Sequence, residues 1–335
     1  MPDKAWMLSA PAWTQPVARE SPGTAPRAQG EAARLAPSAS QLDTTRPVLI
    51  IDGGSSADLG LVRSLGFAKI PVHLLTSGRA SVTTQSRYVT QTHAFPHSGA
   101  SDEECVARIR AVAKSLRLRP VILASGDWAL QLLSRCRADV ADVVDHDLHD
   151  AQTISNFSDK AQFARIAERL SRLALKGWTP SDREFVAGSD GEVVSVHVYV
   201  EPSGRILGSF TASEAKVSPP DAGVGTAVTS RRNEQLAALA VAIVNKLEYS
   251  GFAILQFQVD AHTDAFQLIE VNCRYGAWTE LPSRCGCNFP VAAYATITEQ
   301  PAPVLAQREG VRCWAFFALE DPAPFFWQML QRKPR

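Results

Sequence analysis

The chain has 335 residues, of which 45% are hydrophobic and 20% are charged, and its 34 basic and 34 acidic residues cancel at neutral pH. This composition is typical of a globular protein of about two domains, and the zero net charge gives no general electrostatic basis for binding nucleic acid or an anionic membrane. No apolar run approaches the roughly 20 residues that a membrane-spanning helix needs.

The first 45 residues carry no pattern of ordered structure. Residues 1–45 are rich in Ala, Pro, Ser, Gly and Gln without sustained periodicity, which predicts a disordered extension. The segment also lacks the basic start and continuous apolar core of a signal peptide. The six cysteines of the chain are scattered, which suits a reducing compartment, so we expect a cytoplasmic protein.

Residues 46–150 are predicted to form a small open α/β domain. Pro47–Ile51 is a buried-type strand, and the glycine turn Asp52–Ser56 follows it. A helix with apolar residues on one face comes next, then a second strand over Pro71–Leu75. Strand, helix and strand in this order form a βαβ unit with parallel strands.

The same domain continues with two further helices and a strand. Ser101 and Glu104 have the spacing of a capping box, which predicts the start of a helix. Val121–Ala124 reads as another parallel-type strand, and Asp127–Leu133 as another helix. Gly53-Gly54 does not match the dinucleotide-binding pattern G-x-G-x-x-G, and no acidic residue ends the second strand to hold a ribose. An NAD(P)-binding Rossmann protein therefore remains a minor alternative.

The second half, over residues 151–299, is predicted to be α+β. A helix is predicted to open at Asn156 and run to Leu170, with Ser158 as its N-cap. Two strands, Glu192–Val200 and Arg205–Thr211, are joined by a turn, and an amphipathic helix covers Asn233–Tyr249. Residues 300–335 form a C-terminal extension with an aromatic cluster, which either packs against the body or contacts a partner.

A hairpin over residues 251–278 holds the candidate ligands. Phe252–Asp260 and Phe266–Asn272 read as two strands around a short polar turn. Because residues two apart share a face of a strand, Glu270 and Asn272 point the same way, and Gln256 lies opposite Glu270 in an antiparallel pairing. Oxygen ligands of this kind suit Mg²⁺. An amphipathic hairpin with one wet face is the alternative that spacing alone leaves open.

Gln256-Phe257 followed by Glu270-Val271-Asn272-Cys273-Arg274 resembles the metal-binding signature of the ATP-grasp ligases, with Cys273 in place of proline. The resemblance implies that Gln256, Glu270 and Asn272 hold the Mg²⁺ (or Mn²⁺) ions that bridge the phosphates of ATP. It also implies that Arg274 faces the transferred phosphate. Ser86-Arg87-Tyr88 and Ser125-Gly126-Asp127 are similar to motifs of the domain that precedes ATP-grasp modules.

The strands Glu192–Val200 and Arg205–Thr211 resemble those of the carboxylate–amine ligase branch. That branch then carries basic residues that face phosphate, of which this chain keeps only Lys216. Glu184-Phe185-Val186 is similar to the run whose acidic residue and backbone hold adenine and ribose. The small lobe with a phosphate-binding lysine and a glycine-rich lid has only residues 171–183 in its place, with Lys176 as a remnant. The expected architecture is therefore a Rossmann-like parallel-sheet domain followed by a truncated ATP-grasp module with an antiparallel sheet.

The resemblance implies an ATP- and Mg-dependent ligase that joins a carboxylate to an amine through an acyl phosphate. Loss of the lysine and lid predicts reduced or no activity, because each lost charged contact to the transferred phosphoryl group weakens catalysis. The alternative is a non-catalytic, nucleotide-binding or structural pseudoenzyme. The expected partners are small-molecule carboxylate and amine substrates rather than nucleic acid or membrane, and a homo-oligomer remains open.

Overall fold

The computed structural model describes most of the chain between Leu42 and Trp314. The described residues are 42–78, 81–97, 99–158, 162–163, 165–166, 178–179, 193–218, 224–259, 266–308 and 311–314. Among them no helix is both long and apolar enough to cross a lipid bilayer.

The first part of the chain forms a parallel sheet of four strands in the order β3-β2-β1-β4, as the βαβ pattern predicts. Three of these strands are buried along their whole length, which fits their mainly apolar sequences. The elements are β1 (Val48–Ile51), α1 (Ser56–Phe67), β2 (Val72–Thr76), β3 (Val89–Ala94), α2 (Asp102–Ser115), β4 (Val121–Leu123), α3 (Asp127–Arg135) and α4 (Arg137–Val140).

Helix starts in this part follow local capping chemistry. The predicted capping box at Ser101 and Glu104 is present at α2, and Ser55 with Asp58 forms a second one at α1. A helix not expected from the sequence, α5, spans Ala151–Ser158, and Asp150 Oδ1 accepts a hydrogen bond from Thr153 N at 2.8 Å at its start. The helix predicted from Asn156 to Leu170 is helical at its described residues 162–163 and 165–166, and its start at Ser158 stays a prediction.

The second part forms a seven-stranded sheet in the order β11-β8-β7-β6-β9-β10-β5, in which every pairing is antiparallel except that of β5. Its strands are β5 (Trp178–Thr179), β6 (Val193–Val200), β7 (Ile206–Ser218), β8 (Val224–Ser230), β9 (Gly251–Val259), β10 (Phe266–Asn272) and β11 (Arg312–Trp314). Its helices are α6 (Glu234–Lys246), α7 (Glu280–Arg284) and α8 (Phe289–Ile297).

The two sheets share one hydrophobic core. Val48 and Ile50 of β1, Tyr199 of β6 and Phe252 of β9 belong to a single cluster of buried side chains, together with Tyr294 of α8. The opposite face of the second sheet packs on α6 in a separate cluster. One face of β9 and β10 is therefore fixed against α6, and the other is free to carry polar side chains beyond the shared core.

The segment 301–308 crosses the second sheet and leads to its edge strand β11. The Gln307 amide accepts a hydrogen bond from Thr211 N at 3.0 Å and donates one to Thr211 O at 2.7 Å, so it replaces a strand neighbour there. Arg308 N donates to Cys285 O at 2.7 Å, next to Gly286, whose φ is +97°. We call residues 301–308 the strap.

A histidine pair lies on neighbouring strands β2 and β3. His73 Nδ1 and His93 Nε2 are 2.9 Å apart and share a hydrogen bond. Burial lowers the pKa of both imidazoles, His93 lowers that of His73 further, and Arg108 lowers that of His93. The folded protein therefore favours the neutral form of both rings.

We expect this pair to make the protein less stable in acid. Because both folded pKa values lie below the ordinary value, stability is fully present above that value and is lost as pH falls through the folded pKa values, at no more than about 2.7 kcal/mol per pH unit for two protons. Urea unfolding across this pH range measures the slope. His73→Phe should flatten it, whereas the same change at exposed His97 should not; equal slopes in all three proteins would contradict the expectation.

Candidate functional site

A β-bulge aligns the predicted ligands of the hairpin. Leu268 of β10 pairs with Phe257 of β9, but the next pair joins Glu270 to Gln256, so Ile269 is the extra residue of the bulge. Glu270 therefore lies opposite Gln256, as the sequence alternation predicts. Bulges bend a strand and re-aim its side chains, and they are frequent beside functional sites.

The ligand face can be followed row by row across the sheet. Phe252 and Ile254 are buried in the shared core, at 6% and 7% exposure, while Gln256 and Gln258 further along β9 are partly exposed. Glu270 and Asn272 are also partly exposed. The polar residues thus begin where the cover of the shared core ends, so this part of the face is polar and partly exposed.

Strand β6 adds two residues to this face that sequence reasoning did not single out. Ser195 pairs with Gln256, and His197 pairs with Ile254 in the same row as Asn272. Both side chains are buried. Their signal in the sequence is the alternation of polar and apolar residues through Val193–Val200, which predicts a strand but assigns no role to Ser195 or His197.

His197 forms part of an apolar floor. Rings of Phe210, Phe252 and Phe289 lie 5.6, 5.9 and 6.3 Å from its ring, and burial lowers its pKa to about 3. Its Nδ1 has no hydrogen-bond partner among the described residues. The imidazole is therefore neutral at physiological pH and is not a source of positive charge for a phosphate.

The oxygen ligands are held in register with each other. Asn272 Nδ2 donates a hydrogen bond of 2.7 Å to Glu270 Oε1, which fixes the carboxylate beside the amide. Within the described residues no group of three or more His, Cys, Asp or Glu side chains could hold a metal ion. One carboxylate with two amides instead fits Mg²⁺, which is held by one or two carboxylates together with substrate phosphates.

Cys273, which stands between these ligands and Arg274, is a packing residue. Burial raises the pKa of its thiol to about 12. The protonated thiol is a poor metal ligand and a poor nucleophile, so the replacement of proline adds no reactive group.

Arg274 leaves the sheet and contacts the first part of the chain. Its Nε donates to Asp127 Oδ1 in an ion pair, and Arg274 is 25% exposed against 60% for Asp127. A single parallel bridge between Ser125 and Tyr275 brings the two backbones together. The end of β10 is thus joined directly to the carboxyl end of β4.

The backbone N–H groups of the turn after β1 donate hydrogen bonds to carboxylates within the same segment. Gly54 N donates to Asp52 Oδ1 at 3.0 Å, and Ser55 N donates to Asp58 Oδ2 at 2.7 Å. Asp58 is fully buried, also accepts from Ser125 Oγ, and its pKa is raised by that burial. These N–H groups are the ones that a dinucleotide pyrophosphate would need, so the geometry disfavours the NAD(P) alternative.

Of the remaining predicted site residues, Lys216 alone has a described backbone. Lys216 lies in β7, where its backbone pairs with Ala227 at an irregularity of the strand. Four others lie outside the described residues: Lys176, Glu184, Phe185 and Val186. Most of residues 171–183, which stand in place of the small lobe, also lie outside them. Their roles stay predictions.

No protein-family model and no curated protein matches the chain by sequence. Solved structures do match its fold. The L-amino acid ligase from Bacillus licheniformis has a TM-score of 0.58 at 11% identity, over 81% of this chain and 79% of that one. An ADP complex of N5-carboxyaminoimidazole ribonucleotide synthetase has a TM-score of 0.55 at 14% identity, over 79% and 80%.

The pyruvate carboxylase from Rhizobium etli has a TM-score of 0.58 at 14% identity. The match covers 80% of this chain but only 26% of that one, so the chain spans about a quarter of the carboxylase. At these identities the likeness is one of fold. It agrees with the ATP-grasp fold that the sequence motifs imply. The parallel sheet and the antiparallel sheet expected from the sequence are both present, so the predicted fold class is confirmed.

Proposed function

We propose that this ATP-grasp protein binds Mg–ATP on the face formed by Gln256, Glu270 and Asn272, and acts as a carboxylate–amine ligase of reduced activity. The observation that supports this most directly is the bulge at Ile269, which aligns Glu270 with Gln256 at the end of an apolar floor. A structural hairpin has no need to align a carboxylate with two amides in this way.

The roles of the residues follow from charge. Magnesium, when bound, neutralises phosphate charge and bridges the nucleotide to the protein. Glu270 supplies the single negative charge of the donor set, and Asn272 holds its carboxylate in place through the 2.7 Å hydrogen bond. Arg274, two residues after Asn272, supplies a cation for the transferred phosphoryl group.

The carboxylate substrate attacks the γ-phosphorus of ATP, which releases ADP and forms an acyl phosphate. The amine then attacks the acyl carbon and displaces phosphate. Positioning and charge neutralisation provide most of the catalysis in phosphoryl transfer, so a missing lysine and lid would slow the first step without removing the nucleotide site.

Calorimetry of the purified protein with Mg–ATP tests the proposal. We expect a dissociation constant in the micromolar range, corresponding to about −8 kcal/mol, and loss of the binding heat when magnesium is replaced by EDTA. Absence of any heat at millimolar Mg–ATP would overturn the proposal. Binding without ADP release in the presence of carboxylates and amines would instead favour the second candidate.

That second candidate is a nucleotide-binding pseudoenzyme. The observation that favours it is the ion pair of Arg274 with Asp127, because a guanidinium paired with a carboxylate is less available to a phosphate. The shortness of the sequence between the helix around Phe163 and β6 supports it as well. The calorimetric test applies to both candidates, and turnover separates them.

A further inference from the structure

The ion pair between Asp127 and Arg274 joins two different sides of the cleft. Asp127 is the first residue of α3 and follows Gly126, at the carboxyl end of β4. In open α/β sheets this end of the strands is where ligands bind. Arg274 lies two residues beyond Asn272, and the bridge between Ser125 and Tyr275 holds the two segments side by side. The ion pair therefore lies close along the chain to Asn272 and the proposed phosphate site.

The pair is suited to exchange its partners. Asp127 is mostly exposed, and ion pairs with an exposed member are weak because water competes for both charges. A phosphoryl group offers arginine two or more negative charges and several oxygens, which makes it the stronger partner. Arg274 is expected to leave Asp127 when a phosphate occupies the cleft, a step that rests on the proposed function.

Asp127 differs in this respect from the other carboxylates at the same edge of the sheet. Asp58 is fully buried and held by Ser55 and Ser125, and Asp52 accepts from Gly54 N and from Ser81 Oγ at 3.1 Å. Both carboxylates therefore already accept hydrogen bonds from groups of the fold. The contact of Asp127 with Arg274 is the one that phosphate binding would break.

We propose that Asp127 then binds the ammonium group of a positively charged amine substrate. A carboxylate freed beside an acyl phosphate attracts a cation and holds it next to the acyl carbon. Asp127 is thus the specificity-determining residue for the second substrate, which it selects as a protonated primary amine rather than a neutral nucleophile. Arg274 then contacts the phosphoryl group and Asp127 contacts the ammonium, in place of the ion pair between the two residues.

The step balances in atoms and charge. The ammonium loses one proton to water, and its nitrogen lone pair forms the C–N bond while the bond from the acyl carbon to the bridging oxygen breaks, so that this oxygen leaves with the phosphate. The second proton leaves the nitrogen with the departing phosphate, and the third remains on the amide. Asp127 holds the ammonium in place before the first proton leaves and does not change covalently.

Two nucleophiles separate this role from a structural one. Hydroxylamine is neutral near neutral pH and converts acyl phosphates to hydroxamates, whereas ethylamine is an ammonium ion under the same conditions. The full chain is incubated with Mg–ATP and each of the common L-amino acids as carboxylate, with either nucleophile. With saturating Mg–ATP, we expect Asp127→Asn to raise the KM for ethylamine about tenfold to a hundredfold, as for a lost hydrogen bond to a charged group, and to change the KM for hydroxylamine far less.

Asp102→Asn is the matched control, because Asp102 pairs with Arg135 at the other end of α3, at 2.7 Å and with similar exposure of both members. Equal KM values for ethylamine in wild type and Asp127→Asn would overturn the inference alone. A wild type that binds no Mg–ATP and forms no hydroxamate would overturn the proposed function and the inference with it.

Calorimetry keeps the inference falsifiable if the protein binds nucleotide without turnover. Asp127→Asn then releases Arg274, and we expect Mg–ATP to bind about threefold to tenfold more tightly, the range for losing a competing surface ion pair. Unchanged affinity in Asp127→Asn, or an equal gain in Asp102→Asn, would overturn it.

Discussion

Glu270→Ala should abolish magnesium-dependent nucleotide binding. Glu270 is the one carboxylate that β10 places opposite Gln256, and two amides alone carry no charge for a divalent cation. Loss of supporting residues around a metal already costs about 10–100-fold in affinity, so loss of this ligand should cost about 100-fold or more. Calorimetry with Mg–ATP and Mg–ADP measures the change.

Two further variants show whether the loss is specific. Glu270→Gln keeps the shape and removes the charge, so it should weaken binding almost as much. Gln267→Ala is the matched control, because Gln267 lies on the same face of the same strand, before the bulge, in the row of Gln258. Glu270→Ala with full affinity, or a Gln267→Ala loss of the same size, would contradict the assignment of Glu270.

Gly286→Ala should be among the most destabilising single substitutions in the chain. Gly286 has a φ of +97°, where a side chain is strained, and an added Cβ would overlap the carbonyl oxygen of Ala306 in the strap. The strain costs about 1–2 kcal/mol and the overlap of backbone atoms about 1–3 kcal/mol more. We expect a loss of about 2–5 kcal/mol in the free energy of unfolding, measured by urea denaturation.

Gly204→Ala isolates the contribution of the strap. Gly204 has a similar φ of +82°, but an added Cβ there meets nothing within 4 Å, so its substitution carries the strain alone. The difference between the two variants is then the cost of displacing the strap. Equal losses would mean that the strap moves freely and that its contact with Gly286 does not stabilise the fold.

Local chemistry explains which elements the sequence could predict. The buried parallel strands are predictable from their mainly apolar sequences. The spacing of Ser101 and Glu104 predicts a helix start, because the two residues form reciprocal hydrogen bonds there. The start of α5 at Asp150 has no comparable signal, because Thr153 stands where a capping box needs Glu or Gln and a single Asp is equally common in turns.

The residues of the candidate site could be predicted from the sequence, but their contacts with distant parts of the chain could not. Glu270 and Asn272 share a face by alternation, which needs no tertiary information. The ion pair of Arg274 with Asp127 joins residues 147 positions apart, and no local pattern specifies such a contact. The same holds for His197, whose lowered pKa results from aromatic rings on three other elements.

The bulge at Ile269 also determines how the hairpin tolerates changes in length. Before it, Phe266 and Leu268 face α6, and after it Val271 does, so the spacing of core residues lengthens by one at this point. Removing Ile269 would restore regular alternation and leave Glu270 opposite Gln256. Removing a residue from 270–272 would turn the ligands that follow it toward α6. The chain can therefore lose the residue at position 269 without moving the proposed metal ligands, whereas loss of a residue at 270, 271 or 272 would move them.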